Sequence, residues 1–376
     1  MSRSAVENPV GGSGCLGIVT GLTRQNVLRR RLSTQRLAGE RLSTAADVVR
    51  LLGCVQSQEY AHALWSLGMR TSGSTAAGVQ AEFDRGDFLR THVLRPTWHF
   101  VTAEDIRWIL EVTTPRVQKL NQTIYRQVGL DAATLDRGVA VIVEELEGGR
   151  FRTRAELGQA LADHGLVAQG VRLAYIVMNA ELEGIIGSGP MRGAQQTYAL
   201  LEERVPRSAD ATGDVTELAR RFFLGHGPAR IQDLARWSSL TIGQCREAVD
   251  AVKNQLDTVT IDGVELWFDP DSKRSAGSPG ALLLPLYDEV TLSYPVINFP
   301  QADGHPHQPG EDLFVGCVVI AETNVGTWRR TVQGRKMIME IALAPGVAAR
   351  SGALLEAAAN ELASFAGKQL ELTITG

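Results

Sequence analysis

The feature that most constrains the fold is an order of predicted elements that recurs three times along the chain. Each round combines helices with an extended segment, and three helices followed by a hairpin is the outline of a winged helix. Predicted helices span about 23–32, 44–52, 55–70, 75–85 and 103–127, then 132–147, 153–164 and 169–183, then 214–226, 231–237 and 241–256. Predicted extended segments span 91–101, 184–198 and 258–268. The chain therefore predicts winged helices in tandem.

Local signals set several of these boundaries. Thr44 is a predicted N-cap with Asp47 in the first turn. Thr153 and Glu156 have the spacing of a capping box. The pair at 262–263, Asp-Gly, is a strong two-residue hairpin turn. These signals favour separate helices and a closing hairpin over one long helical array.

The predicted fold class is α+β, with three tandem winged-helix units and a C-terminal β-rich, barrel-like domain. The C-terminal part is predicted from strand-like segments at 281–287, 313–322, 327–344 and 369–375 around a helix at 347–365. The predicted units are a disordered leader at 1–20, winged helices at 21–130, 131–210 and 211–277, and the β-rich domain at 278–376. A winged helix can place one helix in the major groove of DNA.

The distribution of basic residues also favours DNA. The net charge of −4 argues against a protein that coats nucleic acid indiscriminately. Residues 21–50, however, contain seven arginines against two acidic residues, immediately before the segment discussed next. Arginine suits bidentate phosphate contacts, although codon bias in a GC-rich genome would also enrich it. The residues predicted to contact DNA are Arg29, Arg30, Arg31, Arg329 and Arg330.

Composition indicates a chain without membrane or metal-binding segments. No apolar run reaches the roughly 20 residues that cross a bilayer, and the N-terminus lacks the apolar core of a signal peptide. The cysteines at 15, 54, 245 and 317 form no CxxC pair. We therefore expect a cytoplasmic, monomeric protein with free thiols, no metal site and no cofactor.

A pair of glutamines, Gln56 and Gln58, flanks Ser57 at the start of an apolar-periodic run that ends near Arg70. Glutamine does not titrate, so it cannot act as a general base. Its amide has one acceptor oxygen and two donor hydrogens, so it can hold a water molecule. Residues i and i+2 of a helix do not share a face. We therefore predict that the helix starts between Val55 and Ser57. The alternative is that one glutamine caps the helix or bonds a neighbouring loop.

These residues resemble the tandem winged-helix DNA glycosylases of the AlkZ/YcaQ type over about residues 21–345. The resemblance rests on Val55–Glu59 with Trp65-Ser-Leu67 and Arg70; Arg95-Pro-Thr-Trp-His99 with Asp105; Gly189-Pro190 with Gly193 and Thr197-Tyr198; His226-Gly-Pro228 with Asp233 and Trp237-Ser; Asp288-Glu289 with Tyr294; and Val325-Gly-Thr-Trp328. It implies that Gln56 and Gln58 are the catalytic pair of the AlkZ branch, whereas the YcaQ branch has an acid at the second position. Ser57 departs from the small apolar residue usual between them.

The resemblance implies a monofunctional glycosylase for N7-alkylguanine in double-stranded DNA, including bulky adducts or interstrand crosslinks of alkylating natural products. Two neutral amides are neither strong bases nor strong nucleophiles. The substrate should therefore have a cationic base, whose charge already weakens the glycosidic bond. The first 118 residues contain no lysine, which excludes a Schiff-base lyase built on that N-terminal part of the chain. One alternative is a non-catalytic winged-helix transcriptional regulator, although such regulators usually have one winged helix per chain. Another is a glycosylase for small adducts, which usually has a tight base pocket.

Further candidates for the site are weighed against structural roles. His62, one helical turn beyond Gln58, and His99 and Arg95, on the predicted strand, could line the site. A buried core histidine is the alternative for His99. The tryptophans at 65, 98, 108 and 237 are expected in the core. Asp288 and Glu289 could do acid/base work, but we expect a structural pair. Residues 325–330 are predicted to form a hairpin tip and a basic strand.

Overall fold

The computed structural model describes residues 23–205, 212–272, 279–307 and 314–376. Helices and short antiparallel sheets alternate along the chain, so the predicted α+β class is confirmed. The leader predicted at 1–20 lies outside the described residues. Within the described ranges, no helix is both long and apolar enough to cross a membrane.

The first segment packs helices against a three-stranded sheet. Its elements are α1 (Arg24–Thr34), α2 (Ala45–Leu52), β1 (Val55–Gln56), α3 (Tyr60–Arg70), α4 (Ala76–Arg85), β2 (Phe88–His92), β3 (Trp98–Thr102) and α5 (Ile106–Gln127). The strand order is β1-β3-β2, with antiparallel pairs. The N-cap role of Thr44 is confirmed, because its hydroxyl accepts from the Asp47 N–H.

The predicted start of the glutamine helix between 55 and 57 is wrong, because α3 begins at Tyr60. The backbone N–H groups of Gln56 and Ser57 are already bound outside any helix. Gln56 donates to Oε1 of Glu289 over 2.8 Å, and Ser57 donates to the Trp98 carbonyl over 2.8 Å. The glutamine pair thus lies on an edge strand and the bend that follows it.

The second and third segments repeat the order of helices followed by strands. The second contains α6 (Ala132–Leu146), β4 (Arg152–Thr153), α7 (Arg154–Asp163), α8 (Gly170–Leu182), β5 (Ile186–Ser188), β6 (Thr197–Leu200) and α9 (Leu201–Arg204), with strand order β4-β6-β5. The third contains α10 (Val215–His226), α11 (Ile231–Ser238), α12 (Ile242–Val252), a 3₁₀ turn (Lys253–Gln255), β7 (Asp257–Ile261) and β8 (Val264–Phe268). The capping box at Thr153 and the turn at 262–263 are confirmed.

The C-terminal segment is a five-stranded sheet with one long helix packed on it. Its elements are β9 (Ala281–Leu284), α13 (Glu289–Leu292), β10 (Gly316–Ile320), β11 (Thr323–Gln333), β12 (Lys336–Leu343), α14 (Val347–Phe365) and β13 (Gln369–Thr375). The order is β13-β12-β11-β10-β9, and only the β12–β13 pair is parallel.

Two predictions for this segment need correction. The sheet is open, because β9 and β13 do not pair within the described residues, so it is not barrel-like. Residues 327–344 form two strands of a hairpin whose tip lies at Gln333–Lys336, and not at 325–330. The left-handed Gly334 allows that reversal (φ 58°).

Buried apolar side chains of the first, third and C-terminal segments form one continuous core, whereas residues between Tyr125 and Tyr198 form a second one. A buried ion pair crosses the first of these cores. Arg70, at the end of α3, makes two hydrogen bonds of 2.7 and 2.9 Å to the Asp288 carboxylate, and both side chains are fully buried. Asp288 also accepts from Ser66 and caps α13. This contact fixes the far end of α3 to the C-terminal segment.

Candidate active site around the glutamine pair

Gln56 and His99 lie directly opposite each other in the β1–β3 pair, so their side chains emerge on the same face of the sheet. The Arg95 guanidinium joins them. Its Nη2 lies 2.7 Å from Oε1 of Gln56 and 3.0 Å from Nε2 of His99. Arginine has only donors, so the atom of Gln56 that faces it is the carbonyl oxygen. One guanidinium therefore fixes the orientation of the Gln56 carboxamide.

His99 is a neutral anchor for this arrangement. Its Nε2 accepts from Arg95, so the ring proton lies on Nδ1 and is donated to the Thr97 carbonyl over 3.0 Å. Complete burial, with the Arg95 charge adding to it, holds the pKa of His99 well below its usual range. His99 thus lies behind the glutamine pair and does not present a nitrogen to an open site.

Arg95 is itself held by a third segment of the chain. Its Nη1 donates to the Trp237 carbonyl at the end of α11 over 3.0 Å. Burial lowers the pKa of Arg95, and the nearby carboxylate of Glu289 opposes that shift. The cation is therefore fixed by contacts to β1, β3 and α11.

Gln58 is more exposed than Gln56 and lies in the bend before α3. The backbone N–H of Trp98 donates to its Oε1 over 3.4 Å, a long and weak bond. Because that partner is a donor, the oxygen of Gln58 also faces the protein. Both carboxamides are thus oriented by donors from the segment 95–98.

Glu289 supports the other side of the motif. It is completely buried at the start of α13, and its two oxygens accept from the Gln56 N–H and from the Ser293 hydroxyl. Burial raises the pKa of Glu289, and the Arg95 charge opposes that rise. Together with the ion pair of Asp288, these contacts are those of a structural pair, the role expected for the two acids.

His62 lies in the first turn of α3 and contacts the C-terminal segment. Its Nδ1 accepts from the Leu286 N–H over 3.0 Å, and its ring stacks on Trp328 with centroids 5.4 Å apart. Burial, with the nearby charge of Arg330, lowers the pKa of His62 to about 4. His62 is therefore neutral near pH 7 and joins α3 to the C-terminal sheet.

The arginines predicted to contact DNA differ in accessibility. The prediction is wrong for Arg31, which is only 1% exposed. Its guanidinium donates to the carbonyls of Pro228 and Ile297 and lies over the Tyr294 ring. Its position on the buried face of α1 could be found only from the register of that helix. The remaining four lie at or near the surface with protein partners, namely Arg29 with Glu322, Arg30 with the Ser272 carbonyl, Arg329 with Glu340 and Arg330 with the Ala61 carbonyl.

One residue at the site was missed by sequence reasoning. Arg90 of β2 donates to the carbonyls of Ser57 and Gln58 from the opposite edge of the sheet. Nothing in the sequence separates it from the many other arginines. Only the strand order β1-β3-β2, with β3 between Arg90 and the motif, brings it there.

Comparisons with known proteins agree with this architecture. The family model described as DNA glycosylase AlkZ-like matches residues 49–365. An interstrand DNA cross-link repair glycosylase of Streptomyces sahachiroi is 25% identical over 232 residues, which cover 57% of this chain and 60% of that protein. The match thus spans less than two thirds of that relative. The structure of Streptomyces sahachiroi DNA glycosylase AlkZ is similar with a TM-score of 0.72 at 20% identity, covering 94% of this chain and 99% of that one.

Proposed function

The chain belongs to the AlkZ-like DNA glycosylase family, and from this premise we propose that it is a monofunctional DNA glycosylase acting on N7-alkylguanine in double-stranded DNA. Its substrates are bulky adducts or interstrand crosslinks left by alkylating natural products, so its role is repair or self-resistance. The name of the Streptomyces sahachiroi relative, a cross-link repair glycosylase, supports that choice of lesion.

The proposed reaction is hydrolysis with water as the nucleophile. Alkylation at N7 makes the base cationic, so the C1′–N9 bond breaks with its electron pair going to N9, and the base leaves as a neutral molecule. The water oxygen bonds to C1′ of the oxocarbenium-like sugar. One water proton is released to solvent, because neither glutamine can take it. The products are an abasic site and the free alkylated base.

The observation that carries this proposal is the Gln56 carboxamide held by Arg95, together with the Gln58 oxygen that accepts a weaker bond from Trp98. Arg95 and the Trp98 N–H each occupy one lone pair of a glutamine oxygen, over 2.7 and 3.4 Å. A carbonyl oxygen has two lone pairs, so each glutamine keeps one acceptor position for a water O–H. A water held by two acceptors keeps its own lone pair for C1′. Positioning of this kind can be worth several kcal/mol.

The rest of the architecture is proposed to hold the DNA. The repeated order of helices and strands supports three winged-helix units, at 21–130, 131–210 and 211–277, ahead of a β-rich unit at 278–376. We propose a cytoplasmic monomer that binds the duplex with these units. Of the predicted DNA contacts we retain Arg29, Arg30, Arg329 and Arg330, since these lie at or near the surface.

The test is strand cleavage by alkali after incubation of the protein with duplex DNA that carries N7-methylguanine or a bulky N7 adduct. Alkali cleaves at every abasic site whatever the adduct was, and borohydride traps a Schiff base if one forms. The proposal expects abasic sites, release of the intact alkylated base and no trapped covalent complex. Binding of the duplex without any abasic site would favour the regulator instead.

A further inference from the structure

Arg90 is a buried cation whose contacts are not ionic. Its exposure is 8%, and within the described residues its guanidinium donates to neutral oxygens of Ser57, Gln58 and Gln196. Burial lowers its pKa, because the charge is removed from water, and the carboxylates of Glu181 and Glu59 oppose that shift without reversing it. A buried charge without an ionic partner is costly, so its contacts must account for its position.

Those contacts converge on the main chain of the motif. Nε and Nη2 of Arg90 both donate to the Ser57 carbonyl, over 3.0 and 2.7 Å, and Nη2 also donates to the Gln58 carbonyl over 3.1 Å. Hydrogen bonds from a charged donor are the stronger ones. The two peptide groups that flank Gln58 are therefore held by one guanidinium.

Arg90 also contacts the group that orients the Gln58 side chain. Its guanidinium lies over the Trp98 ring, 4.3 Å from the centroid. The backbone N–H of the same Trp98 donates to Oε1 of Gln58. Arg90 thus affects Gln58 in two ways. It donates to the Gln58 carbonyl, and it contacts Trp98, whose backbone N–H binds the Gln58 side chain.

The second segment of the chain holds Arg90 in turn. Nη1 donates to Oε1 of Gln196, and the Arg90 backbone N–H donates to the Ser188 hydroxyl over 2.8 Å. Two residues along the same strand, His92 bonds the buried Glu181 of α8 and packs on Trp98 with ring centroids 4.6 Å apart. Polar contacts from the second segment therefore fix the strand that reaches the motif.

We propose that Arg90 is a positioning residue for the glutamine pair, which holds the carbonyls of Ser57 and Gln58 inward so that the Gln58 carboxamide is presented to the water. This role rests on the proposed glycosylase function. It predicts that loss of Arg90 slows the chemical step without weakening DNA binding, because the guanidinium is buried and donates to groups of the protein.

The experiment compares Arg90→Met, Arg90→Lys and Gln196→Ala with wild type. Arg85→Met is the matched control, since Arg85 is 61% exposed and pairs with Asp87. Single-turnover excision at saturating enzyme gives the rate constant, and titration of labelled duplex gives the Kd. We expect Arg90→Met to lower the rate constant about 30-fold or more, with Kd within about threefold of wild type. Arg90→Lys should recover part of the loss, and Gln196→Ala should lose a few fold.

Hydrogen exchange of the amides at 57–60 supplies a readout that does not depend on activity. Arg90→Met should speed exchange there, and Arg85→Met should not. An unchanged rate constant and unchanged exchange in Arg90→Met would overturn the proposal, as would a loss confined to Kd. If Arg90→Met fails to fold, wild-type rates and exchange in both Arg90→Lys and Gln196→Ala overturn it. A wild-type protein without excision activity would refute the glycosylase function. Faster amide exchange in Arg90→Met would still show that Arg90 stabilises the main chain at 57–60.

Discussion

The guanidinium of Arg95 donates to the carboxamide oxygen of Gln56 over 2.7 Å, while Gln56 keeps its place on β1 through sheet pairing and the carboxylate of Glu289. Side chain and main chain of one proposed catalytic residue are thus fixed independently, by different segments of the chain. Such orientation in advance of binding is what a water-positioning group requires.

The first prediction concerns Arg95. In Arg95→Met the Gln56 carboxamide loses its donor, so the single-turnover rate of excision should fall about 10- to 100-fold. Arg95→Lys should recover only part of it, since an ammonium group cannot reach Gln56, His99 and Trp237 in the fork geometry of a guanidinium. The exposed substitution Arg85→Met should leave the rate unchanged. Equal rates in Arg95→Met and Arg85→Met would contradict the role assigned to this contact.

The second prediction concerns the buried ion pair of Arg70 and Asp288. Asp288→Asn leaves the Arg70 cation buried without an ionic partner, which should lower the free energy of unfolding by about 3–5 kcal/mol. Asp262→Asn is the control, because the pair of Arg24 and Asp262 is 60% and 58% exposed and Asn tolerates the left-handed conformation of that turn. Urea denaturation followed by tryptophan fluorescence measures both. Similar losses in the two variants would refute the assignment.

Much of the fold could be predicted because local signals and tertiary structure agree. The caps at Thr44 and Thr153 and the turn at 262–263 are each satisfied by contacts within four residues. The start of α3 could not be predicted, because the N–H groups of Gln56 and Ser57 are taken by Glu289 and Trp98, which are distant in sequence. Whether the C-terminal sheet is open or closed likewise depends on pairing between strands that are distant in sequence, and β9 and β13 do not pair within the described residues.

Part of the candidate site could likewise be predicted from the sequence, and part could not. The glutamine pair, Arg95 and His99 could be named from short motifs, and the structure brings Gln56, Arg95 and His99 into contact. Arg90 could not be named, since its role follows from the strand order. The wrong assignment of Arg31 has a related cause. A run of three arginines covers about 200° of a helix with 3.6 residues per turn, so one of them can fall on the buried face, as Arg31 does.

The third prediction concerns the pH dependence of catalysis. The pKa of His62 is lowered to about 4 by burial, and that of His99 is held well below its usual range. His62 is therefore neutral above pH 5, the lowered pKa of His99 keeps it neutral near pH 7, and the glutamines do not titrate. The single-turnover rate at saturating enzyme and constant ionic strength should therefore be level between pH 5.5 and 8. A limb with an apparent pKa of 6–7 would reveal a histidine or another base in the chemical step.

The fourth prediction concerns stability in acid. Burial lowers the pKa of His226 to about 4, so the unfolded chain takes up this proton near pH 6.5 and the folded protein only near pH 4. Stability should therefore fall as the pH drops through that window, and His226 alone should contribute a loss of about 2 kcal/mol between pH 7 and 5.

Denaturation of wild type, His226→Gln and His164→Gln at both pH values measures this contribution. His164, with a side chain 48% exposed, is the control. His226→Gln should show a smaller loss between pH 7 and 5 than wild type, and His164→Gln should match wild type. A pH dependence in His226→Gln equal to that of wild type would assign the loss to other groups.

The central claim is that two carboxamides hold the attacking water. Its most direct test is the single-turnover excision rate of an N7-alkylguanine duplex by Gln56→Ala, Gln58→Ala and the double variant, with DNA affinity measured alongside. We predict that each single substitution lowers the rate about 100-fold or more with Kd unchanged, and that the double variant loses little beyond that, because one water needs both acceptors. Rates within a few fold of wild type in both single variants, with DNA binding unchanged, would contradict it.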